Sequence, residues 1–175
     1  MDLGCGTADV LSLLPAVDYL GIDIDPHYIR WCENHFALFN SARFLCRDVT
    51  QVDIEELGTY DLVMAYGVLH HLTDVQAKGL LELASRALKP EGRLVTVDGC
   101  WVPKQSWIAR WLLWMDRGHF VRAAEGYLGL AAPFFANIRS HIRSDLLRLP
   151  YTHLILECTC PIARRDSEEG MKDEE

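Results

Sequence analysis

The chain of 175 residues is poor in positive charge, long apolar runs and paired cysteine spacings. Its 17 Lys and Arg face 25 Asp and Glu, for a net charge of −8 at pH 7. Proteins whose main partner is a nucleic-acid backbone usually carry a basic face, so no nucleic-acid partner is expected. The longest apolar runs are too short to cross a bilayer, and no secretory leader is read, so neither a transmembrane segment nor export is expected. The six cysteines (Cys5, Cys32, Cys46, Cys100, Cys158 and Cys160) show no C-x-x-C spacing. That speaks against a zinc site or a disulfide frame and for small buried hydrophobes in a reducing cytoplasm. Half of the residues are hydrophobic and 24% are charged, as in an ordinary globular domain with a full core.

One glycine is missing where it matters. Met1-Asp2-Leu3-Gly4-Cys5-Gly6-Thr7-Ala8-Asp9 reads as a strand end, a tight turn and a helix start. Two glycines one residue apart let the backbone approach a ligand that a side chain would push away. A dinucleotide fingerprint needs a third glycine three residues on, but Asp9 stands there and would repel a pyrophosphate.

Strand and helix patterns alternate from this turn onward. Tyr19 to Ile24 is apolar enough for a buried strand. Asp25-Pro26 caps and opens a helix whose stripe is Ile29, Cys32, Phe36 and Phe39. Strands are expected at Arg43 to Cys46, Tyr60 to Tyr66 and Arg93 to Asp98. Thr73 and Gln76 form a capping box for a helix with Ala77, Leu80, Leu81, Ala84, Ala87 and Leu88 on its apolar face. The order implies a parallel sheet with helices on both faces. Gly99 to Pro133 breaks the rhythm and reads as a helical lid, with a second helix from about Ala123 to Ala131. Trp107, Trp111 and Trp114 share one helix face there and are expected as lid core. Late strands near Phe135 to Ile142 and His153 to Thr159 would pair as a hairpin. The domain thus spans 1–162, with the lid at about 99–133, and the charged tail at 163–175 is expected to be disordered.

The acidic-x-Gly-x-Gly-x-Ala pattern of Asp2, Gly4, Gly6 and Ala8 resembles the first motif of class I S-adenosylmethionine-dependent methyltransferases. Gly21-Ile22-Asp23-Ile24-Asp25, Asp48-Val49, the segment Ala65 to Leu72 and the turn Leu88 to Leu94 resemble further motifs of that family. The segment after the fourth strand lacks Asn/Asp-Pro-Pro-aromatic, which amino-group methyltransferases acting on nucleic acids often carry. It resembles the small-molecule enzymes of the type 11 and type 25 methyltransferase domains. The resemblance implies a Rossmann-like α/β sheet of order 3-2-1-4-5-7-6 with strand seven antiparallel. It implies S-adenosyl-L-methionine as cofactor, held by Asp2, Gly4, Cys5, Gly6, Asp23, Ile24, Asp48, Val49 and Tyr66, and no metal.

In that reading Asp23 accepts the ribose hydroxyls, Asp48-Val49 meets the adenine and Tyr66 lies beside the methionine moiety. His71, with His119 on the lid as competitor, is the candidate to take a proton from a small-molecule acceptor. Residues Asp116 to Arg122, with Tyr127, are candidates for binding an acidic or hydroxylated substrate; pairing of Asp116 with a lid arginine is the bland alternative. The first strand starts abruptly and is expected to lack its outer rungs, as in a shortened chain. A non-catalytic cofactor-binding partner subunit is therefore the alternative function. Oligomeric state is not read from the sequence.

Overall fold

A computed structural model describes residues 1–52, 57–116 and 118–162. The tail from 163 onward lies outside the described residues. Four parallel strands come first: β1 (Asp2–Leu3), β2 (Tyr19–Asp23), β3 (Ala42–Cys46) and β4 (Tyr60–Tyr66). The long β5 (Leu88–Trp101) pairs in parallel with β4, and the two-residue β6 (Arg122–Ala123) pairs with its far end. A hairpin of β7 (Phe135–Arg143) and β8 (His153–Pro161) closes the sheet, with β8 antiparallel to β5. The strand order is β3-β2-β1-β4-β5-β8-β7. Once the small lid strand β6 is set aside, this is the expected 3-2-1-4-5-7-6.

Helices cover both faces. On one side, α1 (Pro26–His35) and a 3-10 turn (Asp9–Leu13) bury Leu11, Cys32 and Phe36 against Tyr19 and Met64. On the other, α2 (Asp74–Ala87) and α4 (Ala124–Ala131) pack Leu80, Leu81, Tyr127 and Leu130 on Leu3, Ile22, Leu94 and Leu156. The expected caps hold: Asp25 accepts from the His27 N–H, and Thr73 and Gln76 bond reciprocally. The lid adds α3 (Trp107–Met115), capped by Ser106.

Three local expectations change. Phe39 is 46% exposed, because α1 ends at His35 and the chain turns away, so helical spacing no longer governs it. Leu88 belongs to β5: it pairs with Tyr60, and the ladder then shifts and resumes at Leu62 with Arg93. The turn Lys89 to Gly92 is thereby absorbed into the strand as a bulge. Most consequentially, the tryptophan face of α3 is not lid core. Trp107, Trp111 and Trp114 are 76%, 50% and 77% exposed, whereas Ala109 and Leu113 are buried. The small Ala109 lets the helix approach the sheet, and Leu113 fits where Gly99 has no side chain; a Cβ on Gly99 would lie 2.8 Å from Leu113 Cδ2. The cysteines are all free, but only Cys32, Cys100 and Cys158 are buried; Cys46 and Cys160 are exposed at the sheet's margins.

Candidate functional site

The carboxyl ends of the parallel strands carry two adjoining regions. The first is a backbone cradle over β1, β2 and β3. Gly4 and Gly6 take φ of +74° and +52°, and Gly4 and Cys5 donate to the Ile22 carbonyl at 2.7 and 3.0 Å. A Cβ on Gly4 would lie 2.6 Å from Val68 Cγ2, so only glycine fits under the segment after β4. A Cβ on Gly6 would meet nothing within 4 Å, which leaves open space above that turn.

Asp23 fastens the cradle. Its Oδ2 accepts from the Gly6 N–H at 2.8 Å and its Oδ1 from the Asp25 N–H at 2.9 Å. Each carboxylate oxygen keeps a second lone pair for a ligand hydroxyl. Asp2 is buried; Oδ2 accepts from the Tyr19 hydroxyl at 2.6 Å, while Oδ1 has no partner. Burial pushes the Asp2 carboxyl above the usual range, although the Tyr19 hydrogen bond and the amino terminus pull the other way. Burial likewise pushes the Cys5 thiol and the Tyr19 phenol up, which keeps both protonated. Asp48 closes a turn, taking the Thr50 N–H at 2.9 Å and the Thr50 hydroxyl at 2.8 Å. Beside it Val49 is half-buried, while Ile24 and Tyr66 are exposed at the edge.

The second region is a cavity of 460 Å³ over β4 and β5, lined among others by Tyr66, His70, Asp116, Tyr151 and His153. A larger cleft of 770 Å³ lies at the opposite, amino ends of β2 and β4, around Tyr19 and Tyr60, away from both regions. In the smaller cavity Asp98, near the end of β5, accepts the His70 main-chain N–H at 3.1 Å and bonds its Nδ1 at 2.8 Å through the same oxygen. With Nδ1 as donor, Nε2 keeps its lone pair and faces Asp116 Oδ1 at 3.8 Å. Gly118 lies flat on this ring: a Cβ there would stand 1.9 Å from His70 Cδ2. Asp116 also accepts from the Tyr151 hydroxyl and the Gly118 N–H. Burial pushes the Asp116 carboxyl up, but the Tyr151 hydrogen bond and the neighbouring imidazoles outweigh it and leave it below the usual range.

His71 is exposed, with its ring 4.3 Å from that of His70. Partial burial and the nearby His70 push its pKa down, so a neutral imidazole is favoured. His119 is exposed on the lid; its neighbour Phe120 donates to the His70 carbonyl at 2.9 Å. The lid's other expected substrate contacts are structural ties. The Arg122 guanidinium bonds Asp74 and the carbonyls of Leu69, Leu72 and Phe120. Tyr127 is buried and donates to the Gly99 carbonyl at 2.8 Å. Asp116 meets Tyr151 and, among the described residues, no lid arginine; Arg117 lies outside the described residues.

Sequence reasoning named Asp2, Gly4, Gly6, Asp23 and Asp48, and the fold brings them to one edge. It set His70 beside His71 and favoured the latter, and it did not name Tyr151 or His153 as site residues. One signal was present: β4 and β5 are neighbours in the expected sheet, so a histidine after β4 and an aspartate ending β5 belong together.

Comparison with known proteins agrees with this arrangement. A family model described as a methyltransferase domain matches residues 1–94. A tRNA (carboxymethyluridine(34)-5-O)-methyltransferase of Arabidopsis thaliana is 32% identical over 114 residues, covering 63% of this chain and 26% of that protein. A non-reducing polyketide synthase of Emericella nidulans is 29% identical over 100 residues, covering 54% of this chain and 4% of the synthase. The chain therefore spans 26% and 4% of the length of these relatives. Among solved structures, the N-methyltransferase NodS of Bradyrhizobium japonicum, in complex with S-adenosyl-L-homocysteine, superposes with a TM-score of 0.72 at 16% identity, over 92% of this chain and 76% of that one.

Proposed function

The chain belongs to the class I methyltransferase-domain family, and from that premise we propose that it transfers the methyl group of S-adenosyl-L-methionine to a small-molecule acceptor. The observation that carries this is the cradle at the carboxyl ends of β1 and β2, where Asp23 Oδ2 stands 2.8 Å from the Gly6 N–H. Open α/β sheets bind their ligands at such a place. The residues fit the cofactor. The orphaned Asp2 Oδ1 is a buried acceptor suited to a cationic group, and the space above Gly6 is open. Asp23 has lone pairs left for two ribose hydroxyls, and Asp48 with Val49 borders the adenine end. Bound there, the cofactor supplies an electrophilic methyl group.

The chain's own part is to hold the acceptor against that group and keep water out. Displacement needs the acceptor in line, so positioning carries much of the rate. The cavity over β4 and β5 adjoins the cradle through Tyr66 and Gly67, and we assign the acceptor to it. His70 lines this cavity, His71 lies against the His70 ring, and His119 is carried by the lid. A small acceptor rather than a nucleic acid is favoured by the net charge of −8, even though one relative is named a tRNA methyltransferase. The cytoplasm remains the proposed location, on the strength of six free cysteines.

Calorimetry with S-adenosylhomocysteine tests the cradle, and turnover with methyl-labelled cofactor and extracted small molecules tests the reaction. No binding by the parent chain would overturn the reading. Label appearing in RNA but in no small molecule would redirect it to the nucleic-acid class. Binding without turnover, relieved by a partner protein, would favour the subunit alternative.

A further inference from the structure

We propose that His70, His71 and Asp116 form a binding site for one divalent transition-metal ion of the zinc class, with its open position facing the acceptor cavity. One ligand atom from each of the three lies within 4.8 Å of the others. His70 Nε2 and Asp116 Oδ1 face each other at 3.8 Å, too far for a hydrogen bond. Two metal bonds of about 2.0–2.1 Å at a tetrahedral angle set their ligand atoms roughly 3.4 Å apart, so His70 and Asp116 need only a small inward movement, and the exposed His71 supplies the rest of the closure.

The surroundings are those of a metal site as well. A ligating histidine almost always gives its other ring N–H to a carboxylate or carbonyl, which fixes the tautomer and the ring plane. Asp98 does this for His70 at 2.8 Å, and Gly118 closes the ring's flank. The ligating carboxylate is held in the same way: the Tyr151 hydroxyl donates to Asp116 Oδ2, and Oδ1, which takes only a long 3.4 Å bond from the Gly118 N–H, keeps a lone pair for the ion. Asp98 Oδ2 is buried without a partner among the described residues, so the donors described leave part of the site's carboxylate charge unmet. A dication offsets it.

The donor set selects the metal. Two imidazoles and one carboxylate suit zinc, cobalt or nickel; calcium and magnesium call for oxygen ligands. Three protein ligands leave a fourth position, which opens toward Tyr66 and His153 and suits an oxygen or nitrogen lone pair of an acceptor. Metal binding itself stands apart from the methyl-transfer reading; only the identity of the fourth ligand rests on it.

The test uses cobalt(II) as a probe on chelator-treated full chain. One equivalent should bind with visible d–d bands and no thiolate charge-transfer band. His71→Ala and Asp116→Asn should each weaken binding at least tenfold, and Asp98→Asn, which removes an outer-shell partner, by roughly 10–100-fold. His71 is exposed, so its variant should fold; melting curves check that. Binding with a thiolate band would place the ion on cysteines and overturn the proposal. So would parent-like affinity in His71→Ala, or no binding by the parent at micromolar cobalt. Calorimetry of the same variants with S-adenosylhomocysteine reads the cradle separately, so failure of the metal site and failure of the methyltransferase reading are distinguishable.

Discussion

The cradle over β1–β3 and the cavity over β4–β5 lie side by side but are made differently. The cradle is backbone: two left-handed glycines, turns, and a carboxylate that bonds N–H groups of Gly6 and Asp25. The cavity is built from side chains that meet across long separations, His70 on Asp98 and Asp116 on Tyr151, with the Gly118 backbone against His70. The first recognises any ligand with the right outline, and the second can diversify without disturbing it. Substitutions that damage one region and spare the other are therefore the sharpest probes of this division.

The largest effect is expected at Gly118→Ala. Its Cβ would be driven into the His70 imidazole, whose retreat is opposed by the Asp98 bonds to its Nδ1 and to the His70 main-chain N–H. Overpacking of this severity is worth roughly 3 kcal/mol. Turnover should fall a hundredfold or more, with S-adenosylhomocysteine affinity within twofold of the parent. Loss of both together would mean that the two regions are one cooperative unit. The converse variant is Asp23→Ala. Two backbone N–H groups lose their acceptor along with any ribose hydroxyl, so cofactor affinity should drop by about 2 kcal/mol in calorimetry. Cobalt binding at the cavity should be unchanged; equal cofactor affinity would remove Asp23 from the cradle.

The same division explains what the sequence made legible. Turns and caps are local chemistry, so Gly4, Gly6, Asp25-Pro26 and the Thr73–Gln76 box could be read from neighbours. Strand order followed once the family pattern was seen. The partners of His70 stayed hidden because Asp98, Asp116 and, through Asp116, Tyr151 lie up to 81 positions away. The α3 tryptophans misled for a related reason: a hydrophobic face says that burial is favourable, not that a partner surface exists. Ala109 and Leu113, the face that Gly99 can receive, went inside instead.

A smaller effect is expected at Asp2→Asn, which asks whether the cradle sacrifices stability for binding. Asp2 is buried with one oxygen unpartnered among the described residues, and burial raises its carboxyl above the ordinary carboxylate range. An acid whose pKa is raised on folding binds protons more tightly in the folded state. Its contribution to stability therefore declines as pH rises from about 4 through the folded value. The amide stays neutral and can still accept from Tyr19, so the variant should escape that decline. At pH 7 it should be more stable by about 1 kcal/mol in urea unfolding and bind the cofactor more weakly. At pH 4 the difference should vanish. A variant less stable than the parent at both values would show that the carboxylate itself is needed for folding.

The smallest effect is expected at Trp107→Ser, which checks that the lid's tryptophan face is bystander to both regions. Trp107 is 76% exposed at the first position of α3, while the contacts that seat the helix come from Ala109 and Leu113. Serine at the first turn keeps the backbone helical, and the Ser106 cap on the Ala109 N–H is untouched. Surface substitutions away from caps and cores change stability by less than about 0.5 kcal/mol. Melting temperature, cofactor affinity and cobalt binding should all stay at parent values. A loss of turnover with those three unchanged would give the tryptophan a part in receiving the acceptor, and the boundary of the second region would then run out along α3.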